Sequence, residues 1–135
     1  MTYLADANVL SEPTKPAPDA KAVAWLGAHE DDIVVDPVIV GEIAMGVLSL
    51  PAGRKRARLL RWFDAVLQTV ECLPWDVNVG RRWAQLLVDV KTQGHTLPLL
   101  DSMIAATALT HDLTLATRNT RDFQKTGVKL VDPFV

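Results

Sequence analysis

Short apolar segments alternate with longer segments of helical period along this 135-residue chain, and this alternation is the strongest constraint on its fold. Strands separated by helix-length segments form βαβ units, whose strands run parallel. The pattern therefore predicts an α/β domain with a largely parallel sheet. The predicted strands are residues 2–5, 33–35, 71–74, 113–117 and 128–131.

Helices are predicted where apolar residues recur every three or four positions. In the segment from Arg54 to Val70, the recurring residues are Leu59, Leu60, Phe63, Val66, Leu67 and Val70. Asp76 is a typical N-cap for a helix that ends at Gly94. Its buried face would be Val79, Trp83, Leu86, Leu87 and Val90. Further helices are predicted at residues 20–29, from Pro37 to about Leu48 and from Asp101 onward, and residues 118–122 are predicted to form a polar loop.

The length fits one compact domain spanning residues 1–135. The composition, 49% hydrophobic and 22% charged, is that of an ordinary globular protein and excludes a disordered chain. Cys72 is the only cysteine, which excludes an intrachain disulfide and a cysteine zinc site. We expect it to be a small, partly buried hydrophobe.

The segment from Ile33 to Leu50 is the most apolar stretch, yet Asp36, Pro37 and Glu42 make it a poor membrane span. The N-terminus lacks the basic region and apolar run of a signal peptide, so a cytoplasmic protein with no membrane association is expected. The net charge of −2 argues against a protein that coats nucleic acid, because counterion release needs many unopposed cations. An enzyme with a local basic surface stays compatible with it.

Several acidic or amide side chains directly follow a predicted strand or lie near the start of a predicted helix. In open α/β sheets, ligands bind beyond the carboxyl ends of the strands. Asp6 follows the first predicted strand, and Asn119 and Asp122 follow the fourth. Glu42 lies about one turn into the helix after the second strand, and Asp101 lies near the start of another helix. The sequence therefore favours a cluster of oxygen ligands at one edge of the sheet.

A carboxylate among apolar neighbours is costly to bury unless a cation pairs with it. No Lys or Arg lies within several positions of Glu42 or Asp101, whereas a divalent cation would satisfy both. Oxygen-only ligands select Mg²⁺ or Mn²⁺ rather than zinc. Each residue alone also has a local explanation: Asp101 as a helix N-cap, Asp6 as a cap in a turn with Asn8, Glu42 as a partly exposed helix residue and Asp122 as the cap of a short turn.

Four segments resemble, in order, the four motifs of PIN-domain ribonucleases of the VapC toxin type, which includes FitB-like proteins. These segments are Leu4–Glu12 (LADANVLSE), Val40–Val47 (VGEIAMGV), Leu100–Ala108 (LDSMIAATA) and Leu115–Phe123 (LATRNTRDF). Together they span nearly the whole chain. The resemblance implies a PIN-domain-like α/β/α sandwich with a mainly parallel central sheet. It also implies that the chain is a Mg²⁺-dependent endoribonuclease toxin, and tRNA is the substrate expected from the family.

The resemblance also implies roles for particular residues. The first-motif aspartate, the glutamate and the third-motif aspartate surround Mg²⁺ in such toxins, and they match Asp6, Glu42 and Asp101 here. The fourth position is ambiguous, because relatives place either an aspartate at one position or an asparagine there with an aspartate three residues later. We therefore take Asn119 and Asp122 together as the fourth element.

Two other positions near these motifs bear on the site. Thr117 is a candidate supporting hydroxyl beside the fourth motif. Asp36 departs from the resemblance, since many relatives have a small hydroxyl residue there. It either adds a carboxylate near the site or ends the strand, and we favour the second interpretation.

A basic run could oppose the charge of the acidic residues. It comprises Arg54, Lys55, Arg56, Arg58 and Arg61. The run is either a solvated helix face or an RNA contact. Arg118 and Arg121 flank the fourth motif and are closer to it in sequence. The histidines His29, His95 and His111 lack metal-ligand spacing and are predicted to lie at the surface.

By resemblance, the partners are an RNA substrate, a cognate VapB-like antitoxin whose C-terminal segment crosses the acidic site, and a second copy in a homodimer. One alternative is a catalytically silent metal-binding or protein-interaction module on a PIN fold, although such a module would be expected to lack one of the three carboxylates. Another is an aspartate phosphotransferase with Asp6 as the nucleophile. That chemistry favours a second aspartate where this chain has Asn8, and no downstream lysine is placed to serve it.

Overall fold

The computed structural model describes residues 2–135 and contains a five-stranded parallel sheet in the order β3-β2-β1-β4-β5. The strands are β1 Tyr3–Ala5, β2 Ile33–Val35, β3 Glu71–Cys72, β4 Thr114–Ala116 and β5 Lys129–Val131. Each lies within a predicted strand, which confirms the parallel α/β fold. The sheet is parallel at every pairing.

Seven α-helices connect the strands within residues 2–135. They are α1 Ala7–Leu10, α2 Ala20–His29, α3 Pro37–Leu48, α4 Arg54–Thr69, α5 Val77–Thr92, α6 Leu99–Thr110 and α7 Thr120–Phe123. Single 3₁₀ turns cover Glu12–Thr14, Glu30–Asp32 and Gln124–Thr126. None of the helices combines the length and the apolar character that a membrane span requires, within residues 2–135.

The strand order reverses at β1, which pairs with β2 on one side and with β4 on the other. Because parallel crossovers are right-handed, the connections before β3 and those after it cover opposite faces of the sheet, giving an α/β/α sandwich. The register places Ala5 opposite Ala116, so the next residue of each strand, Asp6 and Thr117, meet at the carboxyl edge. This reversal point is where ligands bind in open α/β sheets.

The central strands and α6 form the middle of the core. Leu4, Ala5 and Leu115 are completely buried, and so is Ile104 on α6. Most residues of α6 between Ser102 and Ala108 are buried, because the sheet and α5 cover this helix. Truncating such a core side chain to alanine costs about 2–5 kcal/mol. The helix that carries Asp101 is therefore held rigidly.

Four aspartates start helices by accepting a backbone N–H with their side chains. These are Asp6, Asp19, Asp36 and Asp76, at the starts of α1, α2, α3 and α5. Such caps contribute about 1 kcal/mol each. The N-termini of α4 and α6 have no side-chain cap. The prediction that Asp76 caps a helix is confirmed.

Several local predictions are wrong. Asp101 does not cap α6, because the helix begins two residues earlier and places Asp101 inside its first turn. The predicted loop at 118–122 contains the start of α7. Cys72 lies exposed on the edge strand β3 rather than partly buried. His29 and His95 are half-buried instead of lying freely at the surface, whereas His111 is exposed. The ring of His29 stacks on Trp25 with centroids 4.5 Å apart.

Candidate active site

A cleft of about 420 Å³ opens at the carboxyl edge of the sheet, and four of the predicted site residues line it. These are Asp6, Glu42, Asp101 and Asn119. They come from the end of β1, the middle of α3, the first turn of α6 and the start of α7. The fold therefore brings together side chains that are up to 113 positions apart, counted from 6 to 119.

Asp6 is the most constrained of the four, with only 5% of its surface exposed. Its Oδ1 accepts the backbone N–H of Ala7 at 2.8 Å, and its Oδ2 accepts the hydroxyl of Thr117 at 2.8 Å. Burial raises the pKa of Asp6 above its usual value, while the bonds from Thr117 and Ala7 oppose that rise. The structure thus places Thr117 directly behind Asp6, as the sequence suggested.

Asn8 joins the first motif to the fourth, a role that sequence reasoning missed. Its amide nitrogen lies 3.4 Å from both Asp6 Oδ2 and Thr117 Oγ1. Its side-chain oxygen accepts the backbone N–H of Arg118 at 3.1 Å. The Thr117 hydroxyl also accepts the backbone N–H of Asn119 at 3.1 Å. This network fixes the segment after β4 against the segment after β1. The available signal was the unusual pair of polar residues, Asp6 and Asn8, directly after an apolar strand.

Glu42 projects from α3 into the cleft with one unsatisfied oxygen. Its Oε1 is buried and has no hydrogen-bond partner among residues 2–135. Burial and, after it, repulsion by the carboxylates of Asp6, Asp101 and Asp36 together raise the pKa of Glu42 to about 7. A carboxyl group with a pKa near 7 is matched to proton transfer at neutral pH.

Asp101 is the third residue of α6, inside the helix's first turn. Burial and, after it, like-charge repulsion by Asp6 and Asp122 together raise its pKa to about 6. The first turn is anchored through Ser102, whose hydroxyl donates to the carbonyl of Leu99 and accepts the indole N–H of Trp83 at 2.9 Å. This contact links Asp101's turn to α5.

Of the two candidates for the fourth element, Asn119 lines the cleft and Asp122 does not. Asn119 is exposed, occupies the N-cap position of α7 without a side-chain cap bond, and lines the cleft. Asp122 is exposed on α7 and acts on the cleft through its charge on Asp101. Of the neighbouring arginines, Arg118 lies over the ring of Phe134, 4.5 Å from its centroid, and Arg121 is exposed.

Asp36 ends β2, as predicted, and also lies behind the cleft. It is completely buried; its Oδ1 accepts the backbone N–H of Ile39 at 2.9 Å and its Oδ2 accepts the hydroxyl of Thr107 at 2.6 Å. Burial raises the pKa of Asp36. Asp36 does not line the cleft, but its negative charge helps to raise the pKa of Glu42.

The donor set fits a hard divalent cation. The cleft carboxylates have no basic partner, because the salt bridges found between residues 2 and 135 are Lys15–Glu12 and Lys129–Asp112. The partnerless Glu42 Oε1 supplies a further oxygen. No three acidic, histidine or cysteine side chains of residues 2–135 form a ready-made metal site, so water would complete the shell. Mg²⁺ usually keeps several waters.

Carboxylates gathered at the reversal point of a parallel sheet fit the class of metal-dependent hydrolases. Residues 3–129 match the model of the PIN domain, and the chain belongs to the PIN-domain family. PIN-domain nucleases generally depend on a divalent metal ion.

Two relatives and one solved structure illustrate the match. The chain is 35% identical to toxin FitB of Neisseria gonorrhoeae, over 97% of this chain and 97% of that protein. It is 32% identical to the VapC ribonuclease Y4jK of Sinorhizobium fredii, over 96% of this chain and 95% of that protein. The crystal structure of FitAcB from Neisseria gonorrhoeae superposes with a TM-score of 0.92 and 36% identity, covering 98% of this chain and 99% of that chain.

Proposed function

We propose that this chain is a Mg²⁺-dependent endoribonuclease toxin of a type II toxin–antitoxin pair. The observation that carries the proposal is the cleft in which Glu42, with a pKa of about 7, lies near Asp6 and Asp101, and no basic side chain of residues 2–135 is paired to any of them. The names of the two relatives, a ribonuclease and a toxin, supply the substrate class and the biological role.

The three carboxylates have different surroundings, and we assign their roles accordingly. Asp6 is held by Thr117 and Ala7, so its carboxylate is fixed in position to hold a cation. Asp101 would hold the same cation from the rigid first turn of α6. When bound, a divalent cation lowers the pKa of an attacking water and offsets negative charge on the phosphoryl oxygens. Glu42 orients the attacking water and accepts its proton at the free Oε1.

The remaining polar side chains complete the cleft. Asn119 lines it with an uncharged amide and Asp122 adds charge at its rim, so together they serve as the fourth element. A catalytically silent module would have lost one of the three central carboxylates, and all three are present here. Mn²⁺ is expected to substitute for Mg²⁺, because both prefer oxygen ligands.

A nuclease that cuts cellular RNA has to be held inactive until it is needed. We therefore include in the proposal a cognate VapB-like antitoxin that covers the acidic cleft, and a homodimeric toxin composed of single PIN domains spanning residues 1–135. The first candidate for the RNA substrate is tRNA, and we expect the toxin to act in the cytoplasm, where tRNA is used.

The direct test is cleavage of a defined RNA pool by purified protein with Mg²⁺, with Mn²⁺ and with chelator. We expect cleavage with either ion and none with chelator. Asp6→Ala and Asp101→Ala should each abolish cleavage while the circular dichroism spectrum stays that of the parent. The matched control is Asp31→Asn, an exposed acid near the amino end of β2, which should cleave normally. Full cleavage by both alanine variants would refute the proposed site.

A further inference from the structure

The amino-terminal half of α4 carries a concentration of positive charge that the cleft chemistry does not use. Five of the chain's 14 basic residues fall between positions 54 and 61, although the whole chain has a net charge of −2. We define the basic ridge as the four of them that are exposed: Arg54, Lys55, Arg58 and Arg61. They line a surface groove of about 540 Å³ together with Ala57.

The basic residues of the ridge begin at a position where an α-helix favours acidic side chains. The first turn of an α-helix favours acidic side chains, because its free backbone N–H groups carry partial positive charge. The first turn of α4 contains no acid and begins with three basic residues, and Gly53 before it provides no side-chain cap. Violations of local rules concentrate at functional sites. A bound anion would compensate both the free N–H groups and the side-chain charges.

No ridge side chain forms a salt bridge with a carboxylate of residues 2–135. Within residues 2–135, the salt bridges involve Lys15 and Lys129 and none of the ridge residues. Arg56, which the ridge omits, is half-buried, and its Nε is buried without a hydrogen-bond partner among the described residues. An ordinary solvated helix face usually mixes both signs of charge. The ridge is therefore free to bind an anionic ligand.

The ridge runs beside the acidic cleft. Leu59 and Trp62, on the same helix, line that cleft together with Asp6 and Glu42. Arg58 and Arg61 each directly precede one of these two residues, so the ridge and the cleft-lining stripe are adjacent faces of α4. Arg54 lies about 7 Å of helix rise before Leu59. An anionic chain that leaves the cleft along α4 would meet successive cations.

We infer that the basic ridge binds the backbone phosphates of single-stranded RNA beside the scissile bond, an inference that rests on the proposed ribonuclease function. The acidic cleft repels phosphate, whereas the ridge attracts it, so binding and cleavage are divided between α4 and the carboxylates. Because the ridge contacts phosphates rather than base edges, it supplies affinity but no sequence preference.

The test compares two charge-matched triple variants. Arg54→Gln with Arg58→Gln and Arg61→Gln removes three ridge charges. The control, Lys21→Gln with Lys91→Gln and Lys125→Gln, removes three exposed charges elsewhere. Two quantities are measured: binding of a fluorescent 20-nucleotide RNA in chelator over a salt series, and single-turnover cleavage with Mg²⁺.

Each phosphate contact to a single strand contributes about 0.7 to the slope of log affinity against log salt, so the ridge variant should lose about 2 from that slope. Its affinity should fall roughly 10- to 100-fold near 0.1 M salt. The half-saturating RNA concentration should rise in proportion, while the cleavage rate at saturation stays unchanged. The control should match the parent in every respect.

Equal RNA binding by ridge variant, control and parent would refute the inference, whatever the cleavage result. Refutation would also follow if the ridge variant kept normal RNA binding but lost binding to an acidic peptide, because the ridge would then serve a protein partner. If the parent cleaves no RNA, the proposed function fails, and the binding series alone still decides whether the ridge binds phosphate.

Discussion

The completely buried carboxylate of Asp36 accepts a 2.6 Å hydrogen bond from the hydroxyl of Thr107, 71 positions away in sequence. Asp36 caps α3, the helix that carries Glu42, and Thr107 lies on α6, the helix that carries Asp101. This one bond therefore connects the two helices whose acidic side chains approach each other across the cleft. It acts as a positioning contact behind the site.

Replacing Thr107 with valine should destabilise the protein by about 2 kcal/mol, because it leaves a buried carboxylate oxygen without its donor. Urea unfolding measures the loss. The control is Thr110→Val on the same helix, which should cost clearly less, because within residues 2–135 that hydroxyl bonds only the carbonyl of Ala106. If the two variants lose equal stability, the Asp36–Thr107 bond is not a special contributor.

Thr117→Val should weaken binding of Mg²⁺ or Mn²⁺ by roughly 10- to 100-fold, the range typical when a group that orients a metal ligand is removed. The physical reason is that the Thr117 hydroxyl fixes Asp6 and partly offsets the rise in its pKa. Isothermal titration with Mn²⁺ provides the measurement. Thr92→Val is the matched control, since the only partner of that exposed hydroxyl among the described residues is the carbonyl of Val88. Unchanged affinity in Thr117→Val would show that Asp6 needs no such support.

The acidic cleft should make the metal-free protein less stable as pH rises from about 4.5 to about 7. Glu42 ionises near its ordinary pKa of 4.5 when unfolded but near about 7 when folded. Between these values the folded state binds more protons, so the free energy of unfolding falls with increasing pH. After allowance for screening by solvent, we expect a loss of about 1–2 kcal/mol from Glu42.

Urea unfolding in chelator from pH 4.5 to pH 8 checks this slope. Glu42→Gln cannot ionise, so its stability should fall less over the same range, with the remaining decline due mainly to Asp101, whose pKa is about 6. Parallel curves for the parent and Glu42→Gln would contradict the raised pKa of Glu42.

The sheet and most helices were predictable because apolar periodicity depends only on neighbouring residues. The same periodicity ends the first strand at Asp6, and the resemblance of the four motifs identified Glu42 and Asp101 as site residues. The contacts that organise the site were not predictable in this way, since Thr107 and Asp36 meet only after the chain has folded. The start of α6 was also missed, because Leu99 and Leu100 carry no capping signal and both are exposed.

Lys55→Glu should raise thermal stability and weaken RNA binding in the same protein. A glutamate in the first turn of α4 faces the free N–H groups favourably, whereas the lysine opposes them, and we expect a gain of about 0.5–1 kcal/mol. For a chain of this size that corresponds to roughly 2–5 °C in Tm. RNA affinity should fall at least about tenfold near 0.1 M salt, because an attractive charge becomes a repulsive one.

Lys91→Glu provides the contrast, because it places an acid in the last turn of α5 rather than in the first turn of a helix. Its Tm should fall, while its RNA binding should stay as in the parent. Scanning calorimetry and the RNA binding series measure both effects. A higher Tm with unchanged RNA affinity would mean that the charge at position 55 has no part in binding, and a lower Tm would mean that the helix start is stabilised by the lysine itself.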